Sequence, residues 1–269
     1  MSLSNTTVED LVSIITPCYN SSKYISKTIE SVINQSYTNW EMLICDDCSN
    51  DNSAEIIKSF CNKDKRIRYF RTNTPSGSPT LPRNICINEA TGRFIAFLDS
   101  DDLWKESHLE NLLKLFKDNT EDVVVACSWY SRIDENGVVN GLVRTPGTFS
   151  YHHLFYDNFI GNLTGMYDVC KRGKVYQRIC GHEDYIMWLD ILKEGGIAKS
   201  SNSIEAYYRV TGNSVSSNKI RAMSWRWHIL RDEVGLSVFK SIYYIFASVF
   251  FIWLKKSRFS NMLPWLIKA

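Results

Sequence analysis

The sequence predicts an α/β protein: a mainly parallel sheet flanked by helices, followed by a helical, basic C-terminal tail. Three observations carry this. Short apolar runs rich in Val and Ile alternate with segments whose apolar residues recur at helical spacing. Several of the runs are continuously apolar, as in strands buried on both faces. Polar and acidic clusters follow the ends of three of them. In a parallel sheet those ends share one edge, where ligands bind.

The first run, Val12–Thr16, is β-branched and is expected to stop at Pro17. Tyr19 and Asn20 follow. Ser22 suits a helix N-cap, with Ile25, Ile29, Val32 and Ile33 behind it. Trp40–Cys45 is a second strand ending in Asp46-Asp47. Ala54–Cys61 is a helix striped by Ile56, Ile57 and Phe60, and Ile67–Phe70 is a third strand. Thr72–Pro82 holds three of the six prolines and a glycine, the composition of a loop. Arg83–Ala90 is a helix with Gly92 placed to end it. Phe94–Leu98 is a fourth strand, running into Asp99-Ser100-Asp101-Asp102. Leu109–Phe116 is a helix and Val123–Tyr130 a fifth strand. Alternation in this order implies right-handed crossovers between parallel strands. Further on, Asp134–Gly137 is a turn between β-rich runs. Glu183–Leu192 is a helix stopped by Gly195-Gly196, and Ala206–Val210 is one more strand.

Composition bounds the answer. A chain of 269 residues makes one large domain or two modest ones. Hydrophobic content of 44% and charged content of 22% exclude disorder and fibrous repeats. A net charge of +2 gives no argument for nucleic acid, but from Lys219 onward nine Lys and Arg face two acidic residues. Such a tail suits an anionic surface. Within it Ser241–Leu254 is uncharged and mostly apolar; as a helix it is about 21 Å long, short of the roughly 30 Å hydrocarbon core. Lys240 precedes it, Lys255, Lys256 and Arg258 follow, and then comes Met262–Ile267. An interfacial helix fits better than a spanning one; a helix packed on the domain is the alternative. The N-terminus has no basic start and apolar core, so no signal peptide is expected. Eight dispersed cysteines suit a reduced, cytosolic chain. Between Cys45 and Cys48 stand Asp46 and Asp47, which raise thiol pKa. That C-x-x-C reads as a strand-end cysteine followed by a loop cysteine.

There is no G-x-G-x-x-G after the first strand, no P-loop and no G-x-S-x-G elbow. The sheet edge offers carboxylates instead. A carboxylate holds a phosphate only through a divalent cation, and hard oxygen ligands suit magnesium or manganese. Asp99 and Asp101, two apart at a strand end, can present both carboxylates to one side.

The segment VSIITPCYNSSKYISKTIESVINQSYTNWEMLICDDCSNDNS resembles the opening of the family 2 inverting glycosyltransferases of GT-A fold. GRFIAFLDSDDLW is similar to that family's D-x-D segment, and GHEDYIMWLDIL to its E-D catalytic segment. The likeness covers about residues 11–215. It implies a Rossmann-like GT-A domain over 1–215, with a nucleotide-sugar half (1–102) and an acceptor and catalytic half (103–215). Residues 216–269 are then a helical, membrane-associated tail. It also implies a UDP-sugar donor and a divalent cation, Mn2+ or Mg2+. Thr16, Pro17, Tyr19 and Asn20 match the loop on the base and ribose. Asp47 matches the acid that accepts from uracil N3–H. Arg83 matches an arginine near the base and phosphates. Asp99, Ser100 and Asp101 match the D-x-D segment, with Asp101 and Asp99 toward the metal. Glu183 and Asp184 match the catalytic pair, with Asp184 the general base.

Three positions depart from the family pattern: Cys48 replaces a common Gly, Pro82 a small residue, and Thr211 a common His. The Q-x-x-R-W of processive relatives is absent, which implies one sugar per binding event. Short family members with such tails imply a polyprenyl-diphosphate-linked acceptor at the cytoplasmic face of the bacterial inner membrane, and a hexose, glucose or galactose, joined by a β-linkage in O-antigen repeat-unit synthesis. Two other readings stay open at this level: a sugar-1-phosphate nucleotidyltransferase, whose glycine-rich first loop is missing here, and a non-catalytic nucleotide-sugar binder.

Overall fold

The computed structural model describes residues 10–117, 122–210 and 219–256. Thr211, Arg258 and the segment Met262–Ile267 lie outside the described residues. Among the described residues ten strands form one sheet. They are β1 (Val12–Cys18), β2 (Trp40–Asp46), β3 (Ile67–Arg71), β4 (Phe94–Phe97), β5 (Leu103–Trp104), β6 (Val123–Ile133), β7 (Val139–Val143), β8 (Thr148–Phe149), β9 (Met166–Asp168) and β10 (Ile197–Arg209). The order is β3-β2-β1-β4-β9-β6-β10-β5, with β7 on β6 and β8 on β10. β1 pairs in parallel with β2 and β4, β2 with β3, and β6 with β10. β9 runs antiparallel between β4 and β6, so β6 regains the direction of β4. The sheet is therefore parallel in its long strands, with antiparallel β9 inside it and short antiparallel pairings at β5, β7 and β8.

Among the described residues eight α-helices accompany the sheet: α1 (Ile25–Ile33), α2 (Ser53–Lys63), α3 (Thr80–Glu89), α4 (His108–Lys117), α5 (Val169–Arg172), α6 (Glu183–Lys193), α7 (Lys219–His228) and α8 (Val238–Lys256). Strand residues alternate between two cores, as a pleat requires. Ile15, Leu43 and Phe97 face one core with Ile87 of α3 and Ile186 of α6. Ile14, Met42 and Ala96 face the other with Ile29 of α1 and Leu112 of α4. Each such fully buried Ile or Leu contributes about 1.5–3 kcal/mol.

Several boundaries differ from the sequence expectation, each for a local reason. β1 runs through Pro17 to Cys18. The Ile15 carbonyl accepts from Leu98 N–H, so the nitrogen of Pro17, two residues on, faces the same side. β4 ends opposite Ile15, and Pro17 has no ladder bond to lose there. Ser22 does not cap α1; its N–H donates to Asp51 Oδ2 at 3.0 Å and the helix starts at Ile25. α3 begins at Thr80, with Pro82 in its first turn, where a missing N–H costs nothing. Gly92 is not a left-handed cap: a Cβ there would lie 2.5 Å from the Leu11 carbonyl oxygen, so its role is close backbone approach. Gly195 and Gly196 do end α6, at φ 102° and 75°. β10 begins at Ile197 because the polar run around Ser200–Ser203 is absorbed by register shifts against β6.

α8 contains the apolar stretch from Ser241. Its inner face is docked: Ser241 and Ser248 are buried, and Tyr244 meets Phe155 and Tyr156 at ring separations of 5.3 and 5.0 Å. Its outer face leaves Phe239 86% and Phe246 71% exposed, with Tyr243 beside them. No helix among the described residues is long and apolar enough to cross a membrane.

Candidate active site

Parallel pairing brings the ends of β1, β2 and β4 to one edge, where a cavity of about 420 Å³ opens. Pro17, Tyr19 and Ser21 line it from the end of β1, and Asp47 from the end of β2. Pro75, Gly77 and Ser78 come from the loop before α3, Arg83 from α3, and Asp99, Ser100 and Asp101 from the turn after β4. Tyr19 is 54% exposed and presents an aromatic face at the rim. Thr16 is fully buried in β1. Asn20 sits at φ 48° and staples two loops: its N–H donates to Ser49 Oγ, and its Oδ1 accepts from Asn50 N–H. Neither Thr16 nor Asn20 is part of the lining.

The turn carrying Asp99 to Asp102 is tied down from three sides. Thr28 Oγ1 on α1 donates to the Ser100 and Asp102 carbonyls at 3.0 and 2.9 Å. The Ser21 and Ser100 hydroxyls meet at 2.7 Å. Arg209 at the end of β10 donates from Nε to the Asp101 carbonyl and from its N–H to Asp102 Oδ1. Asp99 and Asp101 thus face one cavity although β4 has already ended at Phe97. Burial, then the Asp99 charge, pushes the Asp101 carboxyl up to about 6. Asp102, by contrast, is buried outside the cavity lining.

Arg83 is buried, donating from Nη2 to Asp99 Oδ1 at 2.6 Å and from Nη1 to Gln177 Oε1 at 3.2 Å. Its Nε is buried without a hydrogen-bond partner. The charges of Asp184 and Glu183 also reach it. These two acids open α6, whose N-terminal end favours negative charge. Burial raises the Asp184 carboxyl above its ordinary value, opposed by Arg83. Asp184 Oδ2 accepts from Asn158 Nδ2 at 3.3 Å. Arg83 is therefore paired with Asp99 of the D-x-D turn and lies within the charge influence of the E-D pair.

Asp47 is already occupied. Its Oδ1 accepts from Thr72 Oγ1 at 2.9 Å, and both its oxygens accept from Ser76 N–H, at 2.9 and 3.0 Å. Ser76 Oγ donates to Oδ2 at 2.8 Å. Cys48 sits beside it at φ 61°, a left-handed backbone that explains why glycine suits this position. Its thiol donates to the Thr72 carbonyl, and all eight cysteines are free thiols. Ser76, Gln177 and Asn158 were not legible as site residues: each lies in a loop with no motif, and only the tertiary fold brings it to its partner.

Comparison with known proteins follows the same edge. The family model described as "Glycosyl transferase family 2" matches residues 13–176. The Escherichia coli protein WfgD, named a UDP-Glc:alpha-D-GlcNAc-diphosphoundecaprenol beta-1,3-glucosyltransferase, is 36% identical over 250 residues, covering 93% of this chain and 96% of its own. WfaP of Escherichia coli, with the same activity in its name, is 34% identical, covering 88% of this chain and 92% of its own. Among solved structures, S. aureus TarS in complex with UDP-GlcNAc superposes with a TM-score of 0.69 at 20% identity, covering 94% of this chain and 76% of that one.

Proposed function

We propose that this chain, which belongs to glycosyl transferase family 2, moves a hexose from a UDP-sugar to a polyprenyl-diphosphate-linked sugar with inversion, leaving a β-linkage. That it is a glycosyltransferase of GT-A fold rests on the family match and the shared architecture. The observation that carries the finer reading is the convergence of Asp99, Asp101 and Arg83 on one cavity, with Asp184 within reach of the Arg83 charge. Glucose is the favoured donor sugar, because the two E. coli relatives are named for transfer from UDP-Glc to a diphosphoundecaprenol-linked sugar; galactose, which the sequence resemblance also admits, is the second.

The roles follow from the chemistry. Asp184 takes the proton of the acceptor hydroxyl as that oxygen attacks the anomeric carbon from the side opposite UDP. Burial raises its basicity toward the range a general base needs. Glu183 adds negative charge at the same helix terminus. Arg83 offers its guanidinium, including the unpartnered Nε, to the diphosphate as negative charge builds there. Tyr19 and Pro17 flank the base, Asp47 meets uracil, and Thr16, Asn20 and Ser100 shape the loops around them. Among the described residues no three His, Cys, Asp or Glu side chains gather into a metal-binding group. Asp99 and Asp101 remain a fitting pair, since both carboxylates line one cavity at the sheet edge and the charge of Asp99 adds to burial in disfavouring a second negative charge there. They would hold Mn2+ or Mg2+ together with diphosphate oxygens, and the ion would supply charge stabilisation for the leaving UDP.

Residues 216–269 are proposed to hold the enzyme at the cytoplasmic face of the bacterial inner membrane, with the outer face of α8 toward lipid. The docked inner face makes α8 a connection between that surface and the catalytic domain. The test is parallel incubation with labelled UDP-glucose, UDP-galactose and UDP-N-acetylhexosamines, each with lipid-diphosphate acceptors. Label entering the lipid fraction from UDP-glucose or UDP-galactose supports the reading; label entering from neither overturns it.

A further inference from the structure

We infer that Asn158 is a positioning residue for the proton-accepting carboxylate, holding Asp184 ionised and turned so that one oxygen stays open to the acceptor hydroxyl. The inference rests on the reading of Asp184 as the general base. Asn158 lies in the loop between β8 and β9 and is carried to the N-terminal end of α6 only by the fold. Its amide is oriented by its surroundings. Oδ1 accepts from the Ile160 N–H at 3.2 Å, which leaves Nδ2 as the group facing Asp184 Oδ2 at 3.3 Å. An amide NH2 can only donate there, so the partner carboxylate is favoured in its charged form.

Asp184 needs such help. Burial favours its protonated form, and Asp99 adds repulsion from the turn after β4. Arg83 from α3, the Tyr185 backbone N–H at the start of α6 and His182, just before it, favour ionisation, and Tyr130 on β6 faces it as a neutral phenol. Arg83 is shared with Asp99 at 2.6 Å, so it does not serve Asp184 alone. Asn158 is a neutral donor directed at one named oxygen. It can fix the rotation of the carboxylate without adding charge to a site that must admit a diphosphate. The amide holds Oδ2 on one side of the carboxylate.

The test uses the full chain and two variants. Asn158→Asp keeps an acceptor for the Ile160 N–H and loses the donor, so the loop is retained while the contact to Asp184 is not. Asn158→Ala loses both. We expect both variants to bind UDP as the wild type does by titration calorimetry. Their kcat should fall about tenfold or more, the effect of losing one hydrogen bond to a charged group. The acid limb of the kcat–pH profile should move to higher pH, further for Asn158→Asp because its added carboxylate repels the charged form of Asp184. A wild-type kcat and pH profile in Asn158→Asp would overturn the inference. So would a lowered kcat with the acid limb in place, which marks a loop defect. Asp184→Asn is measured alongside. Full turnover in that variant removes the base assignment itself, whereas an inactive Asp184→Asn beside a wild-type Asn158→Asp removes only the role of Asn158.

Discussion

Arg83 and Asp99 form an ion pair at 2.6 Å, with the arginine side chain 9% and the aspartate side chain 30% exposed. The pair spans the gap between α3 and the turn after β4, at the cavity that also holds Asp101. A charge that deep must be compensated, and Asp99, Asp184 and Glu183 all contribute to holding Arg83 protonated. The arrangement keeps a fixed positive charge where a leaving diphosphate would develop negative charge. Asp101, on the same cavity, feels the charges of Arg209 and Arg83, which oppose the rise that burial and Asp99 impose.

Asp101→Ala should abolish metal-dependent transfer with the far-UV circular dichroism spectrum unchanged, because the turn is held by backbone contacts from Thr28 and Arg209 and not by the Asp101 carboxylate. Undiminished turnover in this variant, or wild-type activity in excess chelator, would remove the metal role of the pair.

Ser76 closes over Asp47 by its N–H and hydroxyl. If the uracil edge is to use that carboxylate, the loop around Ser76 must give way first. Ser76→Ala removes the hydroxyl that meets Asp47 Oδ2 and the Ser78 backbone in the closed form, so UDP should bind up to about tenfold tighter, roughly 1.4 kcal/mol, by calorimetry. Weaker binding would place the Ser76 hydroxyl in the occupied site as well.

Much of this site was readable before the fold was known. The polar clusters at Tyr19, Asp47 and Asp99 converge because three parallel strands must end on one edge, which alternation alone implies. The Cys48 substitution was visible, but its meaning needed the φ of 61°. What stayed hidden was of two kinds. β9 is three residues long and follows a short 3-10 turn at Asn162–Thr164, too little for any periodicity. Contacts such as Asn158 to Asp184 and Arg83 to Gln177 join residues 26 and 94 positions apart. Local pattern carries no information at such separations.

His108 predicts an acid weakness. Its imidazole is fully buried, stacked on Trp104 at 4.2 Å, with the Glu205 backbone nearby but outside hydrogen-bond geometry. Burial pushes it down to about 3 from an ordinary 6.5. Between those values the unfolded chain binds the extra proton. Stability from this group is therefore complete above about pH 6.5 and is lost as pH falls toward 3. In His108→Phe the decline of Tm between about pH 7 and pH 4 should be shallower than in the wild type. Parallel declines would show that other groups set the acid limb.

On the proposed reading, the outer face of α8 serves anchoring and the inner face serves folding. Replacing Phe239, Tyr243 and Phe246 by Ser should lower co-sedimentation with anionic vesicles and leave Tm nearly unchanged, since these side chains are exposed. Tyr244→Ser should instead lower Tm, because that ring packs on Phe155 and Tyr156. Wild-type sedimentation of the triple variant would refute the lipid-facing role of the outer face.

Inverting transfer with Asp184 as base leaves its mark on the anomeric configuration of the product. Wild-type enzyme is given UDP-glucose or UDP-galactose and an N-acetylhexosamine-diphosphate-lipid acceptor. The disaccharide is released and its anomeric proton coupling read by NMR. A β-linked hexose from an α-linked donor is expected, with turnover lowered roughly 10²–10⁴-fold in Asp184→Asn and far less in Glu183→Gln. An α-linked product, or an Asp184→Asn enzyme that turns over like the wild type, would contradict it.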